Sequence, residues 1–232
     1  MTLGAQVTTG LIISRETYLN NAVFLSVYAT LAGFYLALLM LFPEISGVPK
    51  IALKVLPIAM LLWLSVSTPS PYRRWLCAAV LLSALGDIFL ASSLPHQFIF
   101  GLASFLLTHL AYCMIFIKLA KGRQWPTIKV VFLTLYLIIL LTILIPAAGA
   151  LAVPVSVYAL TICVMGALAI KTQHSMLGFG ALTFVLSDTV IGINKFVLSI
   201  PMADIAIMSS YYLAQLILVL TLTRHASANH TS

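Results

Sequence analysis

Long apolar runs, separated only by short breaks, constrain this chain more than any other feature. Each run is about 17 to 25 residues long, the length needed to cross a hydrocarbon core of ~30 Å. The runs predict eight helices over 18–42, 51–67, 75–93, 97–119, 128–147, 150–170, 176–198 and 203–223. The breaks carry turn chemistry: "FPEISGVPK", "STPSPYRR", "SSLPHQ", "KGRQWP", "IPAAGA", "KTQHS" and "LSIPMAD". None leaves room for a soluble domain. Only 7% of residues are charged, against about 25% in soluble domains. The expected fold is therefore all-α, a polytopic membrane bundle of eight transmembrane helices. Pro57 and Pro154 fall in or at the edge of spans, where neighbouring helices can satisfy the freed carbonyls.

Basic residues set the orientation. Nine of the twelve lysines and arginines lie on the side of the two termini: Arg15, Arg73, Arg74, Lys118, Lys121, Arg123, Lys129, Lys171 and Arg224. Lys50, Lys54 and Lys195 lie on the other. The positive-inside rule then places both ends in the cytoplasm, N-in and C-in. The division is 1–17 as a cytoplasmic N-terminal segment, 18–223 as the transmembrane domain and 224–232 as a cytoplasmic tail. The first run is too long for a signal-peptide core and lacks a small-residue cleavage site, so it is expected to be retained. Cys77, Cys113 and Cys163 are odd in number and lie within spans, which argues against a disulfide framework. The net charge of +7 is scattered through loops rather than gathered in a stripe, so no nucleic-acid partner is expected.

Five residues are acidic, and two of them, Asp87 in "LLSALGDIFL" and Asp188 in "GALTFVLSDTV", interrupt apolar runs. Each comes twelve residues after its helix leaves the side of the termini, about 18 Å into the membrane. A charge there costs ~2.5–3.5 kcal/mol, which makes an intramembrane acid a functional candidate. A purely structural role would need a neutralising partner or capping hydroxyls such as Ser83 and Ser187. Lys54 and Lys195 lie nearer the boundary, where a lysine is expected to reach out to water. Two facing carboxyls would share a proton, one neutral and one ionised, and so act as acid and base together. The corresponding positions of Asp87 and Asp188 also admit a parallel repeat of two four-helix units.

Further polar groups reach the same zone. Phe105, His109 and Tyr112 share one face of the fourth helix. A lone helical histidine is commonly a packing residue, yet this one comes level with Asp87. Tyr211, Tyr212 and Gln215 on the eighth helix come level with Asp188; aromatic residues of this kind also serve as interface anchors. Asn194 and Lys195 lie about two turns beyond Asp188, where they either cap the helix end or meet a polar headgroup. No metal is expected. Asp87, Asp188 and His109 are the one combination with enough ligands for a catalytic zinc, and H-E-x-x-H, G-x-S-x-G and phosphate-loop signatures are all missing.

From about Ala52 to Thr223 the chain resembles the YhhN family of integral membrane proteins, whose characterised mammalian members are lysoplasmalogenases. The resemblance rests on "LKVLPI" with Lys54, "SALGD" with Asp87 and "FGLASFLLTHLAY" with His109 and Tyr112. It continues through "VPVSVY" with Tyr158, "GALTFVLSD" with Ser187 and Asp188, "NKF", and "SSYYLAQ" with Tyr211, Tyr212 and Gln215. It implies a cofactor-free hydrolase that cleaves the vinyl ether of alkenyl lysophospholipids to a fatty aldehyde and glycerophosphoethanolamine or glycerophosphocholine. Asp87 and Asp188 would be catalytic. Lys54 or Lys195 would attract the phosphate of a lysolipid that enters from the surrounding membrane lipids. The rival readings are a proton-coupled transporter, for which Gly86 beside Asp87 is the helix-breaking cue, and a non-catalytic lipid-binding scaffold. A bacterial inner membrane is the expected location, or the endoplasmic reticulum in a eukaryotic host.

Overall fold

The computed structural model describes residues 3–228, with side chains described for 22–224. Among these residues there are eight α-helices and no strand: α1 (Leu3–Leu41), α2 (Gly47–Ser67), α3 (Arg73–Ala91), α4 (Gln97–Leu119), α5 (Thr127–Ala148), α6 (Ala152–Lys171), α7 (Ser175–Phe196) and α8 (Ala203–Ala228). A short 3-10 turn, Gly149–Leu151, joins α5 to α6. Boundaries follow the punctuation in the sequence to within a few residues, except that α1 continues back to Leu3 rather than starting near residue 18. No proline interrupts that stretch. The expected terminal segments are only partly covered, since residues 1–2 and 229–232 lie outside the described residues.

Seven stretches are long and apolar enough to cross a membrane; one of them, Thr127–Lys171, runs for 45 residues and holds both α5 and α6. Large apolar side chains such as Phe132, Ile139 and Leu186 face outward. A surface of that kind suits lipid rather than water. The chain is an integral membrane protein.

Short turns make sequence neighbours antiparallel. Helix α3 packs on α2 and α4, and α7 packs on α6 and α8. Between the halves, α4 packs on α6 while α8 packs on α2. Both acid-bearing helices are continuous through their aspartates. Gly86 does not break α3. A Cβ there would come within 2.6 Å of the Phe105 ring, and one at Gly101 within 2.5 Å of the Leu90 side chain. The two glycines let α3 and α4 approach closely, which turns the buried face of α4, with Phe105, His109 and Tyr112, into the bundle.

Gly86→Leu forces the Phe105 ring out of place, an overpacking that costs ~1–3 kcal/mol. Thermal unfolding in detergent is expected to show a lowered midpoint, whereas Gly33→Leu, at a position with open space around it, leaves it unchanged.

Candidate active site

The buried face of α2 carries Lys54, Pro57, Ile58, Leu61 and Ser65 at helical spacing. Lys54 therefore points at α3 and α8 instead of at the membrane surface. Its Nζ lies 3.1 Å from Oδ1 of Asp87. The absence of a basic partner for Asp87, expected from sequence, is corrected here. Asp87 lies four residues before the end of α3, about 6 Å from it, and Lys54 lies seven residues into α2, about 10 Å from the same end. The stem of a lysine easily covers the remaining offset. Tyr212 fixes the lysine from behind, donating to the Lys54 carbonyl at 2.7 Å, and Tyr28 donates to the Tyr212 carbonyl at 2.8 Å.

Asp188 has a different set of partners. His109 Nε2 lies 3.0 Å from its Oδ2 and 3.0 Å from the Tyr158 hydroxyl, and that hydroxyl donates to the same Oδ2. A hydrogen on Nε2 serves this arrangement, because His109 Nδ1 is buried with no hydrogen-bond partner. Both bonds fall on Oδ2, with none to Oδ1 among the described residues.

The two carboxyls are not hydrogen-bonded to each other, so the expected pair sharing one proton is not the arrangement found. Helices α3 and α7 lie in different halves, and each aspartate is held by a residue of its own half and approached by one from the other. For Asp87 these are Lys54 and Tyr211; for Asp188 they are Tyr158 and His109. Rings connect the sets: Phe184 is 4.8 Å from His109 and 5.5 Å from Tyr211, centroid to centroid, and Phe105 stands edge-on to Tyr211 at 5.7 Å. The Tyr211 hydroxyl neighbours Asp87, yet it and Asp87 Oδ2 are both buried without a hydrogen bond.

Two neighbouring spaces reach some of these groups, one touching Asp188 and Tyr158 and the other Lys54. An apolar groove between α4, α5, α6 and α7 is lined by Leu102, Leu140, Ile162 and Val185, with Asp188 and Tyr158 as its polar wall. A polar cavity of about 450 Å³ opens at the end of the bundle away from the termini, within the ~300–1,000 Å³ typical of small-molecule sites. Leu90, Phe98 and Ile191 line both.

The YhhN family model matches residues 49–222, from the start of α2 into the last turns of α8. The chain belongs to the YhhN family. A protein named lysoplasmalogenase from Mycobacterium bovis (strain ATCC BAA-935 / AF2122/97) is 34% identical over 159 residues, which make up 63% of this chain and 59% of the relative. Lysoplasmalogenase TMEM86B of Rattus norvegicus is 33% identical over 172 residues, 73% of this chain and 70% of its own. Lysoplasmalogenase TMEM86B of Homo sapiens is 33% identical over 175 residues, 74% of this chain and 73% of its own. The match thus spans about three fifths of the mycobacterial relative. No solved structure matches the chain.

In this YhhN protein the other sequence-predicted residues divide between the site and its supports. Tyr112 donates to Gln215 Oε1 at 2.6 Å, and Gln215 donates to Ser83 Oγ at 2.6 Å, forming a closed buried chain between α3, α4 and α8. Ser187 donates to the Ile207 carbonyl at 3.0 Å. Neither serine caps an aspartate. Asn194 accepts from the Ile200 amide at 2.8 Å and so braces the turn into α8, while Lys195 lies over the Phe98 ring at 5.3 Å. Asp87, Asp188 and His109 do not form a metal set; among the described residues no three such ligands gather closely enough. Sequence reasoning missed Lys50, Gln97 and Asp204 in the polar cavity, having read Gln97 and Asp204 only as turn residues and Lys50 only as a turn and orientation signal. The signal was available, since Asp204 is one of only five acids.

Removing one partner of a buried ion pair strands the other, at about 3–5 kcal/mol. Lys54→Met is expected to lower the unfolding midpoint sharply, and Lys54→Met combined with Asp87→Leu to recover most of it.

Proposed function

We propose that this protein is a lysoplasmalogenase-type ether hydrolase, cleaving the vinyl ether of alkenyl lysophospholipids to a fatty aldehyde and the glycerophospho-alcohol. The observation that carries the reading is Asp188, bonded to His109, standing with Tyr158 on the wall of an apolar groove that shares lining residues with a lysine-lined polar cavity. A single-chain lipid suits these surroundings by polarity, with its phosphate in the polar cavity and its chain along the groove, whose enclosed space of about 50 Å³ has to widen to take it. The names of the relatives point the same way. Unbroken α3 and α7 give the transporter alternative no support.

The chemistry follows from the bond. A vinyl ether is protonated on its β-carbon, and the adjacent carbon becomes an oxocarbenium ion. In our reading the Asp188–His109 pair delivers that proton. Water then adds to the cation and loses its own proton to Asp87, whose Oδ2 has no protein partner. The resulting hemiacetal collapses: its hydroxyl proton returns to the Asp188–His109 pair, the bond from the former vinyl carbon to the glycerol oxygen breaks, and that oxygen takes the proton held by Asp87, which restores both acids. Aldehyde and alcohol are the products, and one water is consumed. Lys54 holds Asp87 in place, and Tyr211 directs the water. The two roles call for two differently held acids, and the different partners of Asp87 and Asp188 support that division.

We further propose that all eight helices cross the membrane with both termini in the cytoplasm, as the basic residues favour, most simply in a bacterial inner membrane. The matching contacts of α4 on α6 and α8 on α2 support a duplicated four-helix unit.

Purified protein incubated with alkenyl lysophospholipid is expected to release fatty aldehyde, and none from the alkyl or acyl counterparts, which offer no carbon to protonate. Aldehyde from all three would rule out this mechanism. Asp188→Asn and Asp87→Asn are each expected to lower kcat by at least ~100-fold, the scale of general acid–base catalysis, in protein that still inserts and folds. Wild-type rates in either variant would remove that aspartate from the scheme.

A further inference from the structure

The apolar groove beside Asp188 encloses about 50 Å³, room for only about four water-sized groups at ~10–15 Å³ each. A long hydrocarbon chain needs more. A second space, of about 710 Å³, lies nearer the termini, and on α5 and α7 its lining continues that of the groove. On α7, Ser175, Gly178 and Leu182 line the second space, and Val185, Thr189 and Gly192 line the groove. All fall at steps of three or four residues, on one face. On α5, Lys129, Leu133 and Tyr136 line the second space, and Leu140 and Leu144 follow in the groove with the same rhythm. The two spaces are successive parts of one seam. They are parted where Tyr136 of α5 meets Thr189 of α7, hydroxyl to hydroxyl. Thr189 gives its own hydrogen to the Val185 carbonyl at 2.7 Å, so Tyr136 is the donor between them. Gly166 of α6 leaves room at the same boundary. A Cβ there would lie 3.4 Å from Leu133, 3.6 Å from Val185 and 4.0 Å from Leu182, side chains that belong to both spaces.

We propose that the second space is the far half of the chain site. The hydrocarbon chain of a single-chain lipid runs from Asp188 past Tyr136 and Thr189, whose hydrogen bond opens to pass it, and lies between α5 and α7 on the side of the termini. The proposal rests on the lipid-hydrolase reading above and deepens it, because it makes Tyr136 and Leu182 the residues that decide which chain lengths are held. Walls and reach select the occupant. Phe132, Phe179 and Leu182 give the second space apolar walls, and Lys129, Gln173 and Ser175 come at its far end, by the helix termini. Asp188 lies ten residues beyond Gly178 on α7, about 15 Å. Half of a ~30 Å hydrocarbon core, the reach of one lipid chain, is the same length. Phe132 and Phe179 also face outward. The seam is therefore open sideways, and a fatty aldehyde can leave by it without passing the polar cavity.

The test uses a ligand that the vinyl ether chemistry cannot consume, hexadecyl lysophosphoethanolamine with a photoreactive diazirine on its terminal carbon. The full chain in nanodiscs is illuminated with this probe, with and without excess unlabelled alkyl lysolipid, and the label that the excess removes is mapped by mass spectrometry. It is expected on Phe132, Tyr136, Phe179 or Leu182. Competed label confined to Leu102, Leu140 and Leu144, or no label that competes, would overturn the proposal. Leu182→Trp fills the second space and is expected to weaken the probe about tenfold, as two methylenes denied burial would; unchanged binding would count against the chain path. Tyr136→Phe keeps the ring and removes the hydrogen bond. It is expected to tighten the probe about fivefold, as for one bond no longer broken on entry. A tyrosine that only braces α5 on α7 would lower the unfolding midpoint and leave binding unchanged, and that result would reject the opening step. Competed label in the second space together with an inactive wild type would keep the chain path and reject the hydrolase. Aldehyde release with label confined to the first groove would do the reverse.

Discussion

A carboxyl group one turn from the end of an apolar helix has to be met by something, and the near half of the bundle is arranged around what meets Asp87. Its partner is a lysine on the neighbouring helix, and neither charge is stable in hydrocarbon without the other. That requirement sets the rotation of α2: Lys54 must face inward, so Ile58 and Leu61, on the same stripe, face inward with it. Tyr212 and Tyr28 then close around the lysine's backbone and tie α1 and α8 to the same point.

The other aspartate is met by neutral and ring groups. Tyr158 and a histidine ring converge on a single oxygen of Asp188. A carboxyl held in this way has two ring-borne groups on one oxygen, whereas Asp87 has an ammonium on one of its oxygens. Two acids that look alike in the sequence thus have unlike surroundings. Paired acids in different environments are how one site runs acid and base chemistry together. The aromatic cluster of Phe105, Phe184 and Tyr211 joins the two centres and is itself made possible by the space at Gly86.

The groove and the cavity have opposite characters because they lie along different faces of the same helix. On α7, Val185, Asp188, Gly192 and Phe196 line the groove, Asn194 and Lys195 line the cavity, and Ile191 borders both. The helical spacing of these residues sorts apolar from polar around the helix rather than along it.

The linear chain by itself determined the helices, because each apolar run must satisfy its own backbone in lipid and each proline- or glycine-bearing break must end a run. It also marked the acids, since a charge amid apolar residues stands out at any level of reading. The inward face of α4 was legible from the spacing of Phe105, His109 and Tyr112. Partnership was not. Whether Lys54 reaches water or Asp87 depends on the rotation of α2 against α3 and α8, which only packing sets. Whether Ser187 caps its neighbour or bonds the α8 backbone depends on a helix twenty residues away. The union of Lys50, Gln97, Lys195 and Asp204 in one cavity was decided by tertiary structure alone, because four separate helices bring them together and no local pattern links them.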